Sequence, residues 1–460
     1  MPSGGEIQDP LLKRIRAGAD LEPSEGELEK RSYSRSNPAR RRGPLGWLQV
    51  LGPGLITGAS DDDPSGIGTY SQVGSQFGYG VLWTALFTFP LMVAVQELCA
   101  RIALHTGVGL GVALRRKFPT WIVAPCILAL FIANTVNAGA DLGAVAAGGS
   151  LLTHDAVRQA WLLIPVAALI LGMQLFVTYA VIFKVFKWLT LALFAYVFAG
   201  FLVHPAAGRV VLATLVPHIE FNKDFIAALV AIFGTTISPY LFFWQASSEV
   251  DEMRAAGKKT EAARRGIKVS ELKAARTDIV VGMFFSNVVM YFILLTCAAV
   301  LHSHGQSNVQ TADQAAAALA PVAGQWAFVL FAAGLIGTGF LAIPILTASA
   351  AYAVKEFLGL SGTLADSPRY RPSFYLIIGA STLAAVGISL VHVDPIRALF
   401  ITSVLNGMVA PPLMVLIVLL GSDRQVMGHR KSGWLSQTLT WVGAGVMTAG
   451  AIALIVTSVL

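Results

Sequence analysis

Two short stretches interrupt long apolar segments of this chain: residues 61–66 read Asp-Asp-Asp-Pro-Ser-Gly, and residues 234–239 read Gly-Thr-Thr-Ile-Ser-Pro. Proline removes a backbone donor and clashes with the preceding helical turn, and glycine tolerates non-helical dihedral angles. Both stretches therefore predict a break in a helix. The first also places three consecutive carboxylates in an apolar segment, where even one Asp costs roughly 2.5–3.5 kcal/mol. The acids indicate a functional site rather than a simple kink.

The segments around these breaks are long enough to cross a membrane. Of the 460 residues, 55% are hydrophobic and 13% are charged, and the mean hydropathy is +0.66. A soluble protein carries about 25% charged residues, and about 20 apolar residues span a bilayer as a helix. We predict an all-α polytopic membrane protein, and the continuous runs exclude a β-barrel. The eleven predicted transmembrane helices are about 47–73, 80–104, 120–148, 160–178, 180–203, 224–247, 279–301, 325–355, 373–392, 395–420 and 434–459.

Lys and Arg fall mainly on one side of the predicted membrane. With a cytoplasmic N-terminus, 29 of the 33 lie on the cytoplasmic side, nine of them before Trp47 and eight between Arg254 and Arg276. This is the positive-inside pattern, and it explains the net charge of +7 without a nucleic-acid partner. We expect residues 1–46 to form a disordered cytoplasmic tail. The C-terminus should lie outside, and we expect the membrane to be a bacterial inner membrane.

The two broken spans occupy matching positions in the chain. Residues 47–203 contain five predicted spans, residues 224–420 contain five more, and residues 434–460 add a C-terminal helix. Because five is odd, the second repeat enters the membrane from the opposite face, and each repeat begins with a broken helix. Paired interruptions at corresponding positions of an inverted repeat indicate the binding site of a transporter.

The breaks offer hard oxygen donors: carboxylates, hydroxyl groups and the carbonyl groups that an unwound backbone leaves free. Such donors favour Mg²⁺, Ca²⁺ or Mn²⁺ over soft metals, and neither break contains His, Cys or Met. We therefore expect a divalent metal cation as the transported substrate, with no cofactor. The chain has no nucleotide-binding loop and no catalytic triad, so we expect neither an enzyme nor an ATP-driven pump.

Residues 52–54 (Gly-Pro-Gly) followed by residues 63–66 (Asp-Pro-Ser-Gly) resemble the first helix of the Nramp family of divalent metal transporters. Residues 234–240 resemble the sixth-helix motif of the same family. The resemblance runs from about Gly52 to the tenth predicted span. It implies a LeuT-type five-plus-five inverted repeat with broken first and sixth helices.

The resemblance also implies four residues that face the transported metal: Asp63, Gly66, Thr235 through its carbonyl, and Ser238. Asp63 retains the metal-binding Asp of the family. Gly66 stands where the family has an Asn ligand, and Ser238 stands where it has a thioether Met. The site is therefore larger than the usual one and lacks its soft donor.

Two further positions bear on proton movement. Tyr240 replaces the His that the family links to protons, and Ala144 stands in place of a Glu on the proton route, while Asp141 retains an acidic position. This pattern resembles the divergent Nramp-related magnesium transporters. We expect a monomeric secondary transporter of Mg²⁺, and also of Mn²⁺, without proton coupling. The alternatives are a proton-coupled Mn²⁺/Fe²⁺ transporter of the usual Nramp type, a sodium-coupled carrier of an organic solute on the same fold, and a sensor or channel.

Other polar residues are candidates for the ion path or for contacts behind the metal ligands. Asn134, Asn137 and Asp141 share one face of the third predicted span, where they either line the path or join helices. Asn406 either faces the site or packs, and Gln245 is expected to face a cytoplasmic vestibule. The full set of such candidates is Asp61, Asp62, Ser65, Tyr240, Asp141, Asn137, Asn406 and Gln245.

Overall fold

The computed structural model describes residues 53–154, 156–177, 181, 191–266, 269–360, 362–364, 366, 368–391, 394–428 and 431–459. The predicted tail, residues 1–46, and residues 180 and 182–190 of the fifth predicted span lie outside this part. Within it, all regular secondary structure is helical. The α-helices are α1 Pro53–Asp61, α2 Pro64–Phe77, α3 Trp83–Thr106, α4 Leu110–Lys117, α5 Thr120–Leu152, α6 Gln159–Phe176, α7 Phe194–Leu202, α8 Ala207–Leu215, α9 Lys223–Thr236, α10 Pro239–Ala255, α11 Glu261–Arg264, α12 Val269–Val300, α13 Ala312–Ala316, α14 Ala320–Ala323, α15 Ala327–Leu358, α16 Pro372–Ser389, α17 Pro395–Ser422, α18 Arg424–Met427 and α19 Trp434–Val459.

The membrane assignment agrees with these helices. Nine helical segments of the described residues are long and apolar enough to span a bilayer, and α9 with α10 count as one of them. The first predicted span appears as α1 and α2, and the fifth is described at residue 181 and from residue 191. An all-helical membrane fold is therefore confirmed, whereas the number of eleven spans stays a prediction.

Some helices run past the predicted apolar spans. The stretch from Glu249 to Thr277 is highly charged with both signs interspersed, which predicts a cytoplasmic surface helix or linker, but α10 extends to Ala255 and α12 begins at Val269. Hydropathy marks the part of a helix that lies in lipid, not the residue at which the helix ends.

Both breaks have the same local structure. Two non-helical residues, Asp62 and Asp63, separate α1 from α2, and Ile237 and Ser238 separate α9 from α10. In each case a proline is the first residue of the second helix. Proline suits this position because its missing N–H would have no partner within the helix. The predicted breaks are thus confirmed, and each is only two residues long.

Small residues let the broken helices pack closely against their neighbours. A Cβ atom on Gly58 would lie 2.3 Å from the Gly282 backbone, so α1 presses directly on α12. A Cβ atom on Gly234 would lie 2.1 Å from the Ser403 carbonyl oxygen, so α9 presses on α17. Close backbone approach at glycine is typical of membrane helix packing. These contacts fix the ends of α1 and α9 that meet the breaks.

Gly234→Ala tests this packing. The added methyl group has no room beside α17, and we expect the overpacking to cost about 1–3 kcal/mol. The midpoint of thermal unfolding, measured on the purified protein in detergent, should fall. Gly379→Ala in α16 is the matched control, because its Cβ atom would meet nothing within 4 Å. Equal midpoints for the two variants would contradict the close contact.

Candidate functional site

Asp63 lies in the first break and caps α2. Its Oδ1 accepts hydrogen bonds from the Gly66 amide (2.8 Å) and the Ser65 hydroxyl (2.6 Å). Its Oδ2 accepts one from the side-chain amide of Asn137 in α5 (3.2 Å). The side chain is buried. These donors hold the carboxylate in one orientation, and its two oxygens keep lone pairs for a cation.

The polar face of α5 points at this break. Asn137 contacts Asp63, and one turn later the carboxylate of Asp141 interacts electrostatically with Asp63 and lies near the Ser65 amide. Among the described residues, neither oxygen of Asp141 has a hydrogen-bond partner, although the residue is fully buried. Asn134 instead donates to the Leu346 carbonyl of α15 (3.4 Å). Asn137 and Asp141 therefore belong with Asp63, and Asn134 joins helices.

The second break meets the first through Thr235. The Thr235 hydroxyl oxygen lies 3.4 Å from that of Ser65. The Ser238 hydroxyl donates to the Thr235 carbonyl oxygen (2.6 Å) and also lies 3.2 Å from the Gly234 oxygen. The Ser238 hydroxyl oxygen and the Thr235 carbonyl oxygen each keep a lone pair after the bond between them. Ser238 therefore offers a neutral, hard oxygen donor where the family has the sulfur of Met.

Gly66 faces the same space from the first turn of α2. A Cβ atom on Gly66 would lie 3.3 Å from the Thr235 hydroxyl oxygen, 3.3 Å from the Tyr70 ring and 3.6 Å from the Asp61 carbonyl oxygen. A side chain at this position would therefore extend between the two breaks. Because Gly66 has no side chain, the Thr235 hydroxyl, the Tyr70 ring and the end of α1 come close together at this point.

Asn406 approaches from α17. It is fully buried, and neither its side-chain nitrogen nor its oxygen has a hydrogen-bond partner within the described residues. One turn earlier, Ser403 bonds to the Thr69 hydroxyl (2.8 Å) and lies 3.4 Å from the Ser65 carbonyl oxygen. Asn406 shares this helix face, since residues three apart are neighbours on a helix. An unpaired buried amide suits a ligand better than it suits packing.

The other two acids of the first break point elsewhere. Ser286 of α12 lies 2.7 Å from Asp61 Oδ2 and 3.1 Å from Asp62 Oδ1. Asp63 contacts α5 instead. The three carboxylates are thus divided between two neighbouring helices, as expected if they cannot all face one ion.

Two predicted candidates have contacts outside the break. Tyr240 donates its phenolic hydrogen to the Ser60 carbonyl oxygen (2.7 Å), and this bond ties α10 to the last turn of α1. Gln245 was expected to face a vestibule, but it is fully buried. Its oxygen accepts from Thr57 (2.6 Å) and its nitrogen donates to Glu249 (3.0 Å). Gln245 therefore helps to close the space between α1 and α10 in this conformation.

Sequence reasoning missed Thr57, Tyr70, Glu249 and Ser286. Single hydroxyl residues in apolar spans carry no periodic signal. Glu249 was placed at the start of a surface linker, but α10 continues through it and buries it. The signal available for Ser286 was its position two turns after Asp278, whose Oδ2 accepts from the Gly54 amide (2.7 Å).

The arrangement supplies oxygen ligands. Asp63 and Asp141 provide carboxylates, and the amides of Asn137 and Asn406 and the carbonyl of Thr235 provide neutral donors. Within the described residues, no group of three or more His, Cys, Asp or Glu residues converges as a tight metal site. A site with few charges and no sulfur suits a hard cation that keeps part of its water. Such a cation would be a transported substrate.

Comparisons with known proteins identify the family of this chain. The profile of the Nramp family, described as natural resistance-associated macrophage protein-like, matches residues 54–457. A divalent metal cation transporter MntH of Xanthomonas campestris pv. campestris is 27% identical over 93% of this chain and 94% of the relative. The MntH of Caldanaerobacter subterraneus subsp. tengcongensis is 25% identical over 83% of this chain and 86% of the relative.

Solved structures show the same fold. A mutant of the Eremococcus coleocola manganese transporter superposes with a TM-score of 0.68 at 18% identity, covering 94% of this chain and 90% of that one. Mhp1, a nucleobase-cation-symport-1 family transporter, superposes with a TM-score of 0.52 at 14% identity, covering 88% and 91%. The LeuT-type architecture that the sequence predicted is thereby confirmed. Together with the profile match, which spans most of the sequence, these findings show that this chain belongs to the Nramp family.

Proposed function

We propose that this protein is a secondary transporter of divalent metal cations and that Mn²⁺ is its main cargo. The observation that carries the proposal is the meeting of two broken helices at a buried, oxygen-lined space beside Asp63. A carboxylate inside a membrane protein is costly unless a cation or donors compensate it. A divalent cation provides that compensation, and it leaves again because only a few of its ligands are charged.

Mn²⁺ replaces Mg²⁺ as the expected main cargo. Uncoupled Mg²⁺ transport was the leading expectation, but the relatives are named for divalent metal cations and for manganese. The comparisons therefore favour the usual Nramp type. The donor set itself accepts either ion, because carboxylate, carbonyl and water ligands suit Mg²⁺ and Mn²⁺ alike. Mg²⁺ is the second candidate cargo, on account of Gly66 and Ser238.

A carrier fits the geometry better than a channel or sensor. Asp63, Thr235 and Ser238 are each at most 1% exposed. Within the described residues, Gln245 and its partners Thr57 and Glu249 fill the space between α1 and α10. Release of an ion would require these contacts to separate, which is alternating access rather than conduction.

An organic solute carrier fits poorly. In such a carrier, the free N-terminus of a half-helix would meet the carboxylate of the solute. Here Asp63 already occupies the N-terminus of α2 through the Gly66 amide. Its negative charge takes the place of an anionic ligand.

The protein lies in a membrane, with a proposed orientation and oligomeric state. The helices make this an integral membrane protein. The distribution of Lys and Arg supports a cytoplasmic N-terminus and an external C-terminus, and the relatives support a bacterial plasma membrane. A monomer is sufficient, because every proposed ligand belongs to one chain.

Asp63→Ala tests the site assignment. The variant should reduce Mn²⁺ uptake into proteoliposomes to background, because it removes a charged ligand at the centre of the site. Asp313→Ala changes an exposed acid of α13 and is the control that should leave uptake unchanged. Near wild-type uptake by Asp63→Ala, with normal insertion, would show that the ion binds elsewhere.

The double variant Gly66→Asn, Ser238→Met tests selectivity. It restores the amide and thioether donors of the family and narrows the space beside Thr235. Thioether sulfur favours softer metals, and hard Mg²⁺ gains little from it. Mg²⁺ should therefore compete less well with Mn²⁺ uptake than it does in the wild type. An unchanged competition ratio would mean that neither position contacts the ion.

Proton coupling distinguishes the usual Nramp type, which moves protons with the metal, from the uncoupled magnesium transporters. Of the groups that the resemblance links to protons, Asp141 is present, whereas Tyr240 and Ala144 are replacements. In liposomes loaded with a pH-sensitive dye and clamped with valinomycin, the coupled reading predicts that Mn²⁺ entry acidifies the lumen. It also predicts that Asp141→Asn abolishes the acidification. Uptake without acidification would instead support the uncoupled transport expected from the sequence.

A further inference from the structure

Asp61 and Asp62 are buried acids that the site around Asp63 does not use. They are 0% and 7% exposed, and their carboxylates share the single hydroxyl group of Ser286 in α12. A hydroxyl group donates only one hydrogen, so it cannot satisfy both acids at once. None of the described salt bridges supplies either acid with Lys, Arg or His. Two adjacent acids therefore lie in the protein interior without a described counter-charge.

We propose that Asp61, Asp62 and Ser286 form a second cation site, separate from the transported-ion site at Asp63. Its ligand is a hard, oxygen-liganded cation, either a second divalent metal ion or Na⁺. This proposal does not depend on the identity of the transported ion.

Asp61 and the neighbouring Tyr70 each carry a buried polar atom without a hydrogen bond of good geometry in the described part of the chain. Among the described residues, Asp61 Oδ1 accepts no hydrogen bond. The buried Tyr70 hydroxyl interacts electrostatically with Asp61 and lies beside the Thr235 side chain, but within the described residues no hydrogen bond of good geometry satisfies it. An unsatisfied buried polar atom costs about 1–3 kcal/mol. A cation between Asp61 and Tyr70 would provide a partner for both oxygens.

The end of α1 adds to the negative field. Asp61 is the last residue of α1, where the final carbonyl groups carry about half a negative charge. The Ser60 carbonyl is already used by Tyr240, but the dipole of the helix still favours a cation beside Asp61. Two carboxylates, two hydroxyl groups and this helix end make a set of hard donors.

The position of Ser286 gives the site a mechanical consequence. Asp278, Gly282 and Ser286 are spaced four residues apart and so lie on one face of α12. That face meets α1: Asp278 binds the Gly54 amide, and Gly282 contacts Gly58. A cation held by Asp61 and Ser286 would therefore link α1 to α12. Its loss would weaken the contact that holds α1 in place beside the transported-ion site.

Counting bound Mn²⁺ tests the proposal. Free Mn²⁺ is measured by electron paramagnetic resonance on the purified full-length protein in detergent, in a choline buffer without Na⁺. If the second cation is divalent, the wild type should bind two ions per chain. The double variant Asp61→Asn, Asp62→Asn should bind one. Ser286→Ala should weaken the second ion about tenfold, as expected for the loss of one contact to a charged group. Ser60→Ala is the matched control and should retain both ions, because the Ser60 hydroxyl donates to the Ile56 carbonyl of its own helix.

If the wild type binds a single Mn²⁺, the Na⁺ arm decides, with radioactive ²²Na⁺ as the probe. A sodium site would be supported if the wild type and Asp63→Ala bind ²²Na⁺ and the double variant Asp61→Asn, Asp62→Asn does not. The proposal is overturned if the wild type binds one Mn²⁺ and no ²²Na⁺, or if the double variant and Ser286→Ala bind both ions like the wild type. If the wild type binds a single Mn²⁺ and Asp63→Ala binds none, the transported-ion site is supported even when the second cation site is not. The two proposals can therefore fail separately.

Discussion

The contact between the Asp63 carboxylate and the first turn of α2 is the interaction on which the rest of this structure depends. A membrane helix that stops in the middle of a bilayer leaves backbone groups without partners, which is costly in an apolar medium. Asp63 supplies one acceptor to the Gly66 amide, and Pro64 removes one donor altogether. The break is thereby stabilised, and the residue that stabilises it also brings a negative charge to the centre of the protein.

That charge organises the surrounding helices. Asn137 donates to it from α5, and Ser65 joins it to Thr235 of the second break. Glycine contacts at α12 and α17 press the broken helices against their neighbours. In the proposed transport cycle, the contacts of Tyr240 and Gln245 with α1 would separate when the ion is released.

Part of this architecture could be predicted from the sequence. Proline, glycine and the run of acids placed both breaks, and the apolar spans gave the fold class. The direction of each acid could not be predicted, because a two-residue gap rotates Asp63 away from Asp61 by an angle that no periodicity specifies. Asn406 was ambiguous for a similar reason: an amide in an apolar helix serves equally for packing or for binding. Its unpaired atoms became apparent only when the neighbouring helices were in place. Ser286 could not be placed beside Asp61 from the sequence, because its spacing from Asp278 does not specify which helix that face of α12 meets.

The central claim is that the two breaks together hold the transported metal at Asp63. Anomalous X-ray scattering from crystals grown with Mn²⁺ tests it most directly. The account predicts an anomalous peak about 2.0–2.6 Å from an Asp63 carboxylate oxygen, close to Asn137 and Thr235, and no such peak in Asp63→Ala crystals. A strong peak that lies away from both breaks, or that persists at the same place in Asp63→Ala, would contradict it.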